Sequence, residues 1–263
     1  MALLVLFATG SVSQAKPLQP VKPWDLDYGD AQCSASRAYD DPAKPVLLAI
    51  IPSPDGDTFE LLVAYKSQYD RFADELDGFV DFGSGPMKVP LLQYGSKDKT
   101  MTFYQFRLAA DQMARAKAAN TVNFHVKDAR DFSFELDHVA PLLDGLQRCT
   151  ADLKNYWNYD GEKSGRIAVP AKGDTRLLFS ADDYPYVAER SNEEGTAQYL
   201  LLIDEKGAVA GCHVVKPSGV PALDAMGCVV IKGRAKFKPA FDPAGKPVRS
   251  TLTTPPITWR LED

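Results

Sequence analysis

The sequence predicts an α+β chain of two domains: an N-terminal mixed α/β domain closed by an amphipathic helix, and a C-terminal domain with two helices packed on a small antiparallel sheet. Three observations carry this expectation. Short apolar or alternating runs bounded by turn residues recur through both halves. A helical apolar spacing ends the first half, and a stretch rich in Gly and charge separates it from the second.

The elements follow in chain order. Residues 1–15 combine an apolar run with the small-residue ending Ser13-Gln14-Ala15, which reads as an export signal cleaved after Ala15. The run stops near Val12, short of the roughly 20 apolar residues that a bilayer span requires, so no stable membrane span is expected once the signal is removed. Residues 16–23 hold three prolines and read as an extended lead-in. A first domain over 24–157 then opens with a hairpin, 46–51 and 58–65, around Pro-Ser-Pro-Asp-Gly-Asp. Strands at 100–108, 121–126 and 132–136 and a short Ala-rich helix at 109–118 continue it. Leu142, Leu146, Cys149 and Leu153 recur at intervals of four, three and four, which sets them on one helix face. The stretch 158–172 is predicted to be a linker, and 173–263 a second domain. Its expected elements are a short helix after Tyr184-Pro185, a hairpin of 198–204 and 209–215, a helix from Pro221, and final strands at 248–254 and 258–261.

Composition narrows the function classes. The net charge is −5, with 30 basic and 35 acidic side chains intermixed, so no basic stripe marks a nucleic-acid partner. In an exported chain the four cysteines favour disulfides, and one bridge within each predicted domain gives Cys33–Cys149 and Cys212–Cys228 out of three possible pairings. Their spacing matches no zinc site, and neither a metal nor a cofactor is expected.

Several residues in the second domain carry a resemblance. Tyr184-Pro185 with Ala188, Asp204 to Gly207, Ser218-Gly219, Leu223-Asp224, Phe237-Lys238-Pro239-Ala240 and Gly245-Lys246-Pro247-Val248 occur in that order. Over about residues 182–262 the chain resembles the C-terminal domain of the TonB energy-transducer family. The resemblance implies a periplasmic protein that binds a segment of an outer-membrane receptor or another envelope protein by strand addition. It places the edge on Val248, Arg249, Ser250, Thr251, Leu252, Thr253 and Thr254, with Leu252 as the position for a proline probe. The family's N-terminal anchor and long Pro-rich spacer have no counterpart here, so the expected role is binding without energy transduction. Two rival readings are a membrane-anchored transducer whose N-terminus has been misread, and an enzyme in 24–157 with the second domain as a docking module.

No constellation in the sequence makes an enzyme the expected reading. Asp81-Phe82-Gly83 lacks the other kinase signatures and reads as a turn. Gly83-Ser84-Gly85-Pro86 is too short for a phosphate loop. His125, His138 and His213 lack predicted local partners, and Cys212 and His213 point to opposite faces of a strand. Asp40-Asp41 and Asp182-Asp183 read as solvated turn residues.

Overall fold

In the computed structural model, residues 16–69, 73–175 and 177–261 are described; the predicted export signal lies outside them. Nine strands form one antiparallel sheet: β1 (Asp25–Tyr28), β2 (Cys33–Tyr39), β3 (Val46–Pro52), β4 (Thr58–Lys66), β5 (Asp74–Asp81), β6 (Met87–Gly95), β7 (Met101–Ala109), β8 (Thr121–Val126) and β9 (Phe132–Glu135). Their spatial order is β1-β2-β3-β4-β7-β6-β5-β8-β9. Period-two alternation explains why the sheet curls around one core: in β7, Thr102, Tyr104, Phe106 and Leu108 are buried while their neighbours are not. Aromatic rings fill that core, with Phe106 4.7 Å from Phe124 and Tyr39 4.9 Å from Phe134, centroid to centroid.

The lead-in closes the curl. Leu18 donates to Ser133 O at 2.8 Å and accepts from Glu135 N, bonding β9, while Val21 donates to Ala38 O and Gln19 accepts from Asp40 N, bonding β2. The prolines of 16–23 leave enough N–H groups for a strand-like seam between the two sheet margins. A five-residue helix α1 (Ala110–Ala114) follows β7, and α2 (Val139–Tyr156) buries Leu142, Leu146, Cys149 and Leu153. Cys149 is bonded to Cys33 across 116 residues, which ties α2 to the start of β2.

The C-terminal unit contains α3 (Tyr186–Arg190), β10 (Gly195–Ile203), β11 (Val209–Lys216), α4 (Pro221–Arg234), β12 (Ala240–Phe241), β13 (Pro247–Val248), β14 (Ser250–Thr253) and β15 (Ile257–Trp259). β10 is central, with β11 on one side and β14 and β15 on the other. Ala197, Tyr199, Leu201 and Ile203 share a core with Ile231 of α4, and Cys212–Cys228 joins β11 to the same helix. Gly227 is required there, because a Cβ would lie 2.0 Å from the Tyr199 hydroxyl.

Some expectations change. The first half is far richer in strand than its sequence suggests: β1, β2, β5 and β6 were not predicted. The 248–254 run is two strands, since Val248 pairs with Ala240 whereas Ser250 to Thr253 pair with β10. The stretch 158–172 is also structured. Ala168 and Val169 both donate to Phe241 O, Lys172 donates to Lys238 O, and Ile167 and Ala171 are buried in the core around Tyr199.

The two halves are in direct contact. Leu202, on the face of β10 opposite α4, packs into the core of the nine-stranded sheet. The Arg107 guanidinium reaches Asp224 at 2.7 Å, and Glu75 accepts the Ala222 N–H at 2.7 Å in the first turn of α4. That placement sets a carboxyl group against the positive end of the helix.

Candidate strand-addition edge

β14 lies at the margin of its sheet: among the described residues it pairs with β10 alone, Arg249 separates it from β13, and Pro255-Pro256 end the ladder. Its hydrogen-bond phase is fixed by Thr254, whose N–H donates to Tyr199 O at 2.9 Å while its Oγ1 accepts from Tyr199 N at 3.1 Å. In the observed register Leu201 opposes Leu252 and Ile203 opposes Ser250, so these pairs exchange bonds with β10. Thr251 and Thr253 fall in the alternate pairs, and their N–H and C=O groups point away from β10. Among the described residues no backbone bond occupies them.

The edge is bounded on one side. Asn158 Nδ2 donates to Arg249 O at 2.8 Å, which closes the position before β14. The Arg249 guanidinium lies 4.1 Å over the Tyr156 ring and contacts Glu205 at 3.3 Å, so α2 and the β10–β11 turn fix it. Thr253 is exposed, Thr251 and Leu252 are half-buried, and Ser250 and Thr254 are buried. Of the seven residues singled out in the sequence, Ser250 to Thr253 form this edge strand, Val248 pairs elsewhere, and Arg249 and Thr254 flank it. The phase also corrects the proline probe: Leu252 faces β10, so a proline there breaks an internal ladder bond, whereas Thr251 and Thr253 are the positions that test the open edge.

The other singled-out residues have structural partners. Asp81 accepts from Gly83 N and Gly85 N, forming a turn in which both glycines have positive φ. His125 is exposed beside Asp131, and His138 beside Asp137. Burial lowers the His213 pKa to about 4, so the ring is neutral near pH 7. Cys212 is held in a disulfide and is not a free nucleophile. Asp183 departs from its expectation as a solvated turn residue: it is buried, accepts from Ser180 N, and forms a bidentate pair with Arg234 at 2.6 and 2.7 Å. Those Arg234 bonds, with the Ser180 bonds, hold its carboxyl below the ordinary range against the opposing effect of burial.

A second polar group escaped the sequence reading. Glu60 of β4 and Arg107 of β7 are cross-strand partners, and Arg107 extends to Asp224 of α4. Leu223-Asp224 is visible in the sequence, but its partner depends on a register and a packing that no local pattern encodes. Among the described residues there is no cluster of three or more metal-ligating side chains, and no helix is long and apolar enough to cross a membrane.

A family model described as the C-terminal region of the Gram-negative bacterial TonB protein matches residues 180–261. The comparisons with curated proteins and with solved structures give no match.

Proposed function

We propose that this chain, whose last third is a TonB C-terminal domain, is a periplasmic envelope protein that captures an extended segment of an outer-membrane receptor or other envelope protein by strand addition on β14. The observation that carries the reading is the ladder phase, which leaves the backbone groups of Thr251 and Thr253 directed outward from a strand already paired on its other side. Such an edge supplies affinity through main-chain bonds and takes specificity from alternate side chains of the incoming segment. The half-buried Leu252 and the exposed Thr253 supply an apolar and a polar neighbour for those side chains. Export fits the two disulfides, which belong to oxidising compartments.

The test is binding of a cysteine-free segment of an outer-membrane receptor to the full chain, measured by titration calorimetry. Thr253→Pro removes an outward N–H without touching the β10 ladder, so it is expected to lower affinity at least tenfold while the urea midpoint stays within error. Unchanged affinity with an intact fold would rule out this edge.

A further inference from the structure

The margin of the same sheet opposite β14 borders a cavity that the family match does not assign. β11 pairs with β10 on one side only, with His213 opposite Leu200 and Gly211 opposite Leu202. Because Tyr199 directs its N–H and C=O toward Thr254, the alternate residues Leu200 and Leu202 bond β11 through His213 and Gly211. The backbone groups of Cys212 and Val214 therefore point outward, and among the described residues no hydrogen bond occupies them.

Cys212, His213 and Val214 all border one cavity of about 240 Å³. Side chains of consecutive strand residues project to opposite faces, so a cavity touching all three runs along the backbone edge. Its floor is the outer face of the nine-stranded sheet, including Glu60, Gln105 and Arg107, and α4 contributes Asp224.

Arg107 is committed to Asp224 at 2.7 Å and stands 3.8 Å from Glu60, so two carboxylates share one guanidinium. Glu60 keeps 35% of its side-chain surface accessible, and burial raises its pKa while the Arg107 charge and a hydrogen bond with Gln105 pull it back down. His213 is neutral and adds no positive charge.

We propose that this slot is a second peptide site, taking a short extended segment whose backbone pairs with the β11 edge and whose basic side chain sits on Glu60. The occupant has defined chemistry. The edge asks for a backbone with free N–H and C=O groups, and two outward positions two residues apart fit a segment of about three residues at roughly 3.4 Å per residue. A cation placed on Glu60 favours its carboxylate form against the neutral form that burial favours, which selects Lys or Arg over a neutral side chain. This proposal does not depend on the β14 reading, because it uses the opposite margin of the sheet and residues of the first half of the chain.

The experiment titrates acetyl-Val-Lys-Val-amide and acetyl-Val-norleucine-Val-amide into the oxidised, isotope-labelled full chain and follows amide shifts by NMR. The expected result is shifts centred on Cys212 and Val214, at least tenfold tighter binding of the lysine peptide, and loss of that preference in Glu60→Gln. A lysine peptide N-methylated along its backbone is expected not to bind, and Thr253→Pro to leave the titration unchanged. Equal affinity for the two peptides, shifts centred on β14, or no shifts at all would overturn the proposal. The two-peptide comparison needs no variant, so it stands even if Glu60→Gln fails to fold.

Discussion

Replacing Arg107 by Met removes the cation from a contact in which Asp224 has only 2% of its side chain exposed. Asp224 would keep the Ser218 N–H at 2.8 Å as its remaining strong partner, leaving a buried carboxylate without a counter-charge. Breaking a buried pair in this way costs about 3–5 kcal/mol. Arg107 is itself 17% exposed, and water reaching its side of the pair favours the lower figure, about 3 kcal/mol. Adding Asp224→Asn removes the stranded charge while an amide oxygen can still accept from Ser218 N, so the double variant is expected to recover more than half of the loss. Equilibrium urea unfolding of the wild type, both single variants and the double variant completes the cycle. A single variant within about 0.5 kcal/mol of the wild type, or a double variant as unstable as the sum of the singles, would refute the assignment of this contact as a structural bond between the halves.

Four further outcomes follow. Burial raises the Glu75 pKa to about 7 despite its bond from Ala222 N, with Glu193 and Asp224 adding repulsion. Its proton is therefore held more tightly in the folded chain than in the unfolded one. Its contribution to stability should be most favourable below the ordinary glutamate value of 4.5, fall as pH rises to about 7 and then level off, and Glu75→Gln should flatten that part of a urea-midpoint profile. Losing Cys212–Cys228, which spans 16 residues, is expected to cost about 3 kcal/mol, and losing Cys33–Cys149 nearly 5 by the same loop-closure relation, both measurable in Cys→Ser variants by denaturant unfolding. Gly227→Ala forces a Cβ against the Tyr199 hydroxyl and should destabilise by about 1–3 kcal/mol in the same assay. Leu252→Pro is expected to lower the urea midpoint by breaking the β10 ladder, whereas Thr251→Pro leaves the midpoint near that of the wild type.

How much of this was legible in the sequence depended on whether the signal was local. The α2 spacing of Leu142, Leu146, Cys149 and Leu153 is a one-face pattern, and all four are buried together. The hairpins around Gly56 and Gly207 are marked by turn residues, and both glycines adopt positive φ. β5 and β6 lacked such marks. β5 reads Asp-Glu-Leu-Asp-Gly-Phe-Val-Asp, where charge and Gly78 mask the alternation, yet Gly78 faces Leu91 and Phe106 so closely that a Cβ would meet Leu91 at 2.7 Å. β6 contains Pro90, which argues against an interior strand; pairing with β7 begins only at Leu91, so the proline falls just outside that ladder. The partners of the extended lead-in and of the 158–172 stretch were hidden for a related reason. Pro- and Gly-rich segments look unstructured until a distant strand supplies partners, here β9 and β2 for one and Phe241 and Lys238 for the other. At the candidate edge, sequence placed the strand but could not give its phase, because which residue faces outward is decided by the pairing of Thr254 with Tyr199.

The most direct test of strand addition is disulfide trapping between Thr253→Cys in the full chain and single cysteines scanned along a segment of an outer-membrane receptor. Thr253 is exposed and its outward backbone groups would lie against the added strand, so cysteines on one face of that strand would meet it and those on the other would not. The account predicts trapping yields that alternate with a period of two along the segment and disappear when Thr251→Pro is introduced. Uniform yields without alternation, or trapping that survives Thr251→Pro unchanged, would contradict it.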